Sequence, residues 1–166
     1  MAGEKRVLIV MGSDSDLPVM KEAYQVLQSM GVGAEVRILS AHRTPEKACE
    51  AARGAEAAGF RVVIAGAGGA AHLAGAMAAQ TVLPVIGVPL AAGALTGIDA
   101  LYATVQMPPG VPVATVAVGG ARNAGILAAQ IIAAGDPALR EILHAEREKM
   151  ARTVEEKDRK VREEFR

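Results

Sequence analysis

Ser40-Ala41-His42-Arg43-Thr44-Pro45 sets an imidazole directly beside a guanidinium. Histidine titrates near neutrality and carries a proton in either direction, while arginine offers a fork of donors to an anion. Upstream, Glu35-Val36-Arg37-Ile38-Leu39 reads as a strand. Thr44, Pro45 and Glu46 then read as an N-cap, a first-turn proline and an acidic first turn. His42 and Arg43 therefore fall in a short loop between strand and helix. In open parallel sheets ligands bind beyond the carboxyl ends of the strands, so a proton carrier and an anion binder have immediate use there.

Two further loops have comparable chemistry. Met11-Gly12-Ser13-Asp14-Ser15-Asp16 follows a strand and leads into a helix. Its hydroxyls and free N–H groups suit a phosphate, and the carboxylate of Asp16 suits ribose hydroxyls. Ser13 to Asp16 could equally do no more than cap the helix, since Ser and Asp are the usual capping residues. The third loop, Ala65-Gly66-Ala67-Gly68-Gly69-Ala70-Ala71-His72, brings a second imidazole to the same edge. Its glycine spacing is not that of a dinucleotide fingerprint, and it does not follow the first strand. Its small residues instead let the backbone press against a flat ligand. His72 could serve there as a functional group or as a helix cap, and His144 in the charged tail reads as solvated. A Walker A lysine motif, a histidine pair at metal-ligand spacing and a serine nucleophile elbow are all missing from the sequence.

Positioning these loops requires an alternation of strands and helices. Candidate strands are residues 7–11, 35–39, 62–65, 85–88 and 114–118, all short runs with β-branched residues and, but for Glu35 and Arg37, largely apolar. Candidate helices are residues 17–30, closed by Gly31, 46–58, closed by Gly59, and 72–80, 98–105 and 123–134. The strands lack a strict two-residue alternation, as expected of a parallel sheet covered on both faces. This is an α/β pattern: a three-layer αβα sandwich with a flavodoxin-like five-stranded parallel sheet in the order 2-1-3-4-5 and a C-terminal helical extension. Residues 1–136 form one α/β domain in this reading. Residues 137–166 form a long charged helix with a narrow apolar seam through Leu139, Leu143, Met150, Val154, Val161 and Phe165, expected to act as an arm on a neighbouring subunit.

Composition narrows the function. The chain has 166 residues, enough for one domain with a substantial core. Of its hydrophobic residues, which make up 51%, none is Trp and only two each are Tyr and Phe, so small side chains must pack closely. Lys, Arg, Asp and Glu number 36, and 17 of them lie between Arg140 and Arg166, leaving the main body poorly charged. That surface suggests burial against other copies of the chain. The formal net charge is zero, without a basic stripe, which argues against nucleic acid as a partner. The single cysteine, Cys49, excludes an intramolecular disulfide and suggests a reducing compartment. Met1 to Arg6 contain no signal-peptide h-region, and the Ala-rich stretch from Ala65 to Ala94 is broken by Gly and Pro, so a cytoplasmic protein without a membrane span is expected.

Four segments, MGSDSD at 11–16, SAHRTP at 40–45, AGAGGAAHL at 65–73 and GVP at 87–89, occur in the order and positions of one family. Through them the chain resembles the PurE family of purine biosynthesis, from about Val7 to Ala134. The GAGGAAHL loop resembles the bacterial mutase branch rather than the branch that uses free carbon dioxide. The resemblance implies that a carboxyl group moves from the exocyclic nitrogen to a ring carbon of an aminoimidazole ribonucleotide, by decarboxylation and recarboxylation. It further implies that His42 is the proton carrier and that Ser13, Asp16 and Arg43 hold the phosphoribosyl group. Ser40, Gly68, Gly69, His72 and Leu73 would line the imidazole pocket. The family works without metal or organic cofactor, as an octamer whose C-terminal helix commonly reaches a neighbouring subunit. Two other readings stay open: a carboxylase of the same fold acting on free carbon dioxide, and a non-catalytic nucleotide-binding module. A receiver would need an acidic residue ending the third strand, where this chain has Ala65-Gly66.

Overall fold

The structure, a computed structural model, describes residues 5–166; the reading of Met1 to Glu4 lies outside the described residues. Five strands are present among them: β1 (Lys5–Met11), β2 (Gly33–Ile38), β3 (Val62–Gly68), β4 (Val85–Leu90) and β5 (Ala114–Thr115). They form one sheet in the order β2-β1-β3-β4-β5, every neighbouring pair parallel. The helices are α1 (Leu17–Ser29), α2 (Pro45–Gly54), α3 (Leu73–Ala78), α4 (Ile98–Val105), α5 (Ala121–Ala133) and α6 (Pro137–Glu164), with a 3-10 turn at Asp14–Asp16 ahead of α1.

The expected three layers are present, and alternation along β1 explains them. Val7, Ile9 and Met11 enter one core with Met20, Ala23, Val26 and Leu27 of α1 and Ala124, Ala128 and Ile132 of α5. Leu8 and Val10 enter a second core on the opposite face, with Ala48 and Ala52 of α2 and Leu73, Ala74 and Met77 of α3. Both faces of the strand are therefore dry, which is why its sequence reads as an unbroken apolar run. Close approach replaces bulk in the first core. A Cβ on Gly125 of α5 would run into the Val26 side chain of α1 and come within 2.8 Å of the Ala23 carbonyl oxygen, so the two helices approach this closely because position 125 has no side chain.

Several element limits differ from the sequence expectation for identifiable reasons. The strand β3 continues to Gly68 because Ala67 and Gly68 stay paired with Pro89 and Leu90 of β4. The segment expected to be a strand from 114 to 118 is regular only at Ala114–Thr115, although Val116 N–H still donates to Gly87 (3.1 Å) and Gly119 N–H to Pro89 (2.9 Å). An edge segment with one neighbour can bend away from the ladder between such contacts. The helix expected over 46–58 ends at Gly54, and residues 55–59 continue as turns closed by the Phe60 N–H on the Ala55 carbonyl (3.1 Å). Thr44 was expected to cap α2. It stands at the N-cap position, where its carbonyl accepts from Ala48 N–H (3.1 Å), but its hydroxyl makes no cap bond: it accepts from Ser40 N–H (3.0 Å) and donates to the Ser40 carbonyl (3.2 Å), closing the loop in front of the helix.

α6 leaves the globular body after Leu139, its only buried residue, with Leu143 packed part-way against the first core. Arg6 and Asp136 pin its start through a 2.7 Å ion pair, and the Asp136 carboxylate also caps the helix by accepting from Leu139 N–H. The hydrogen bond from Arg6, then that from Leu139, holds the Asp136 carboxyl below its ordinary value. Farther out the helix carries exposed pairs one turn apart, among them Glu156–Lys160 and Asp158–Arg162. Met150, Val154, Val161 and Phe165 remain exposed. No helix among the described residues is long and apolar enough to cross a membrane.

Candidate active site

The three chemistry-bearing loops converge because β1, β2 and β3 are adjacent and parallel, so their carboxyl ends open on one edge of the sheet. β1 delivers Ser13 and Asp16. Their local fold is a reciprocal cap: Ser15 N–H donates to the Ser13 hydroxyl (3.3 Å), while Ser13 N–H donates to the Asp16 carboxylate (3.0 Å). Capping and site formation are thus compatible, because the hydrogen bonds that start the 3-10 turn ahead of α1 also fix where Ser13 and Asp16 face the cleft. Burial pushes the Asp16 carboxyl above its ordinary value, against the Ser13 and Gly12 N–H groups and the Arg43 charge, which pull it down.

Beyond β2, the loop Ser40–Thr44 is tightly tied. Thr44 N–H donates to the Ser40 carbonyl (2.9 Å) and Arg43 N–H to the Ser40 hydroxyl (3.1 Å). Arg43 then reaches across to the first loop, where Nη2 donates to the Gly12 carbonyl at 2.8 Å. One guanidinium thereby couples the two polar loops, and among the described residues no carboxylate forms an ion pair with it. Its charge is left to face the cleft.

The third loop begins inside β3. Gly68 is a place of close approach: a Cβ there would meet the Ala92 Cβ at 2.8 Å and the Leu90 carbonyl oxygen at 3.1 Å. Gly69 follows in the left-handed region (φ +58°), which turns the chain toward α3. His72 immediately precedes α3 without capping it through its side chain. Its ring instead meets His42: His42 Nε2 and His72 Nδ1 are 2.9 Å apart, with the rings edge-on at 77° and centroids 5.0 Å apart.

Between these loops lies a cleft of about 380 Å³. Ser13, Asp16, Ser40, His42, Arg43, Gly68 and Leu73 line it, so seven of the nine residues singled out from the sequence share one space. Gly69 and His72 are not among the lining residues: the first bends the chain and the second bonds to His42. Sequence reasoning did not single out Gly12, Ser15, Ala41, Ala67, Ala70 and Ala92, which complete the wall. Only for Ala92 was there a separate signal, since it lies in the loop after a fourth parallel strand and so at the same sheet edge. The wall is polar where Ser13, Asp16, Ser40, His42 and Arg43 meet and apolar along Ala67, Gly68, Ala70, Leu73 and Ala92. A larger groove of about 730 Å³, lined by Glu35, Arg37, Lys47, Glu50 and Phe60 among others, contains none of the three loops. Among the described residues no group of three or more His, Cys, Asp or Glu side chains is placed to hold a metal ion. The arrangement can bind an anionic, hydroxyl-bearing ligand at one end, hold a flat apolar group at the other and exchange a proton between them.

A family model described as AIR carboxylase matches residues 6–153. An N5-carboxyaminoimidazole ribonucleotide mutase of Pyrococcus horikoshii is 54% identical, over 98% of this chain and 93% of the relative. A protein of the same description from Mycobacterium tuberculosis H37Rv is 55% identical, over 95% and 91%. Among solved structures, that of Treponema denticola PurE is similar with a TM-score of 0.85 and 28% identity, covering 94% of this chain and 98% of that one.

Proposed function

The chain belongs to the AIR carboxylase family, and from that premise we propose how its cleft performs the reaction named for its relatives. The protein is an N5-carboxyaminoimidazole ribonucleotide mutase, an isomerase of purine biosynthesis that moves a carboxyl group from the exocyclic nitrogen to the ring carbon of one aminoimidazole. The observation that carries the site assignment is the meeting of His42, Arg43, Ser13 and Asp16 with the Gly68 wall around one cleft.

The phosphate lies against Arg43 and the Ser13 hydroxyl, where a charged fork of donors favours an anion. Asp16 accepts from ribose hydroxyls. The aminoimidazole then lies along the apolar wall, over Gly68 and beside Leu73 and Ser40. His42 protonates the carbamate nitrogen, the N–C bond breaks, and carbon dioxide is released into the cleft. The nucleophilic ring carbon attacks it, and neutral His42 removes the proton from that carbon to restore aromaticity, so one residue acts as acid and then as base. Carbon dioxide is small and apolar, and its escape competes with recombination. Small side chains and backbone packed close to the ring leave it little volume, so confinement supplies much of the acceleration.

This reading includes an oligomer, an octamer in the family pattern, in which residues 137–166 lie as an arm on a neighbouring subunit and residues 1–136 carry the catalytic unit. Support comes from the exposed apolar seam of α6 and from Leu95, Ile98, Tyr102 and Val105 on and beside α4, all of them exposed. A cytoplasmic location is consistent with a single cysteine and with the pathway. The test is an assay of purified protein with N5-carboxyaminoimidazole ribonucleotide, and separately with aminoimidazole ribonucleotide plus bicarbonate or carbon dioxide. Fast carboxyl transfer on the first at low dissolved carbon dioxide is expected. Turnover only with free carbon dioxide would overturn the mutase assignment.

A further inference from the structure

His72 stands next to the proton carrier but outside the cleft lining, and the contact between the two rings has a chemical consequence. The loops hold both rings in place. Ala71, Leu73 and Ala74 are buried around His72, Ala71 N–H bonds the Gly69 carbonyl and His72 N–H the Ala70 carbonyl (both 2.8 Å), so the exposed imidazole is left to face His42. On the other side, Ser40 and Thr44 close the His42 loop from both ends. Among the described residues His72 is the only hydrogen-bond partner of the His42 ring.

A separation of 2.9 Å between two ring nitrogens requires one hydrogen between them, carried by one ring and accepted by the other. We propose that His72 is a positioning residue whose Nδ1 accepts the Nε2–H of His42 throughout the reaction cycle, leaving His42 Nδ1 as the nitrogen that exchanges a proton with substrate. This inference rests on the reading of His42 as acid and base. In the imidazolium state His42 carries hydrogens on both nitrogens: Nε2–H is held by His72 and Nδ1–H is free for donation. When Nδ1–H passes to the carbamate nitrogen, His42 becomes neutral with its hydrogen still on Nε2, and the bare Nδ1 lone pair is ready to remove the ring-carbon proton. His72 stays neutral, with its own hydrogen on Nε2, and neither gains nor loses a proton. A ring held by one fixed bond can therefore give and take a proton at the same atom without turning over between the two steps.

Two variants separate this role from direct ligand contact and from simple bulk. In His72→Phe the ring remains and the acceptor is lost; in His72→Asn the amide oxygen sits near the position of Nδ1 and can still accept. The full-length protein, labelled with 15N-histidine, should show a His42 Nε2–H proton shifted downfield and protected from exchange in the wild type and in His72→Asn, and lost in His72→Phe. That measurement needs no turnover, so it stands apart from the mutase assignment. In kinetics, His72→Phe should lower kcat by about ten- to a hundredfold with KM little changed, the scale of a misplaced reacting group, and His72→Asn should recover most of it. A neutral wild-type His42 with its hydrogen on Nδ1 would overturn the proposal. So would a His72→Phe variant with wild-type kcat and a raised KM, because that pattern marks a residue that only touches substrate.

Discussion

The two halves of the cleft are built in opposite ways. The half made by residues 12–16 and 40–44 is held by polar bonds: a reciprocal cap at Ser13 and Asp16, the Thr44 hydroxyl accepting from Ser40 N–H, the Ser40 hydroxyl accepting from Arg43 N–H, and the Arg43 guanidinium bridging to the Gly12 carbonyl. The half made by residues 67–73 and Ala92 has no polar side chain but His72 and is shaped by contact, with Gly68 so near Ala92 and Leu90 that a methyl group would not fit. Polar bracing suits a ligand end that carries charge and hydroxyls, because donors fixed before binding need no reordering. Steric bracing suits the end where a flat ring and a small gas molecule must be confined. His42 lies at the junction and is bonded to the third loop through His72.

The largest effect that should sharpen this contrast comes from the junction. His42→Asn should lower kcat by about a thousandfold while ligand binding, followed by calorimetry, and folding persist. Near-wild-type turnover would remove the proton carrier from the scheme. Arg43→Ala tests the polar half and should weaken ribonucleotide binding by about ten- to a hundredfold, the scale of a lost charge-assisted hydrogen bond, with far less effect on a phosphate-free analogue. Equal losses for both ligands would mean that the polar half does not read phosphate.

Gly68→Ala tests the apolar half. The added methyl must push Ala92 or the Leu90 backbone, so chemical denaturation should register a loss of about 1–2 kcal/mol, and kcat should suffer more than KM. An unchanged stability would show that this wall is looser than its contacts indicate.

The smallest effect concerns Asp16. Burial raises its carboxyl above 3.8 in the folded chain, so folding favours the neutral acid. The stability linked to this group is complete below 3.8 and is lost as pH climbs through the raised folded value. Asp16→Asn removes that dependence, so the variant should gain on the wild type as pH rises from 3.8 upward in pH-dependent denaturation without ligand. Solvent screening keeps the gain small, because the carboxyl is partly exposed. The same substitution should weaken ribose recognition at neutral pH, as an amide replaces an anionic acceptor.

Strand positions and topology were readable because buried parallel strands need apolar runs on both faces, and β1, β3 and β4 have them, while the edge strand β2 alternates Glu35 and Arg37 with Val36 and Ile38. Helix limits were less readable, since Gly54 stops α2 while Ala55 to Ala58 still look helical, and only the turn closed by Phe60 reveals the difference. Thr44 is more instructive. Local preference makes a Thr before Pro a helix cap, but the hydroxyl has a competing acceptor and donor four residues back at Ser40, and the loop takes it. Ala67, Ala70 and Ala92 escaped notice for a different reason: an alanine side chain has no chemistry to announce it, and its role as a wall exists only when two strand ends are brought side by side.

The order of residue types along the chain was enough to determine the α/β alternation, the parallel sheet and the three loops that carry the proton carrier, the anion binder and the carboxylate, because periodicity and helix-start signals act over a few residues. Folding alone decided that the His42 and His72 rings, thirty positions apart, share one hydrogen, that Arg43 ties two loops together, and that a 380 Å³ space remains between them. Those relations depend on ångström-scale distances between distant segments, which are set by how two cores of small side chains let strands and helices approach.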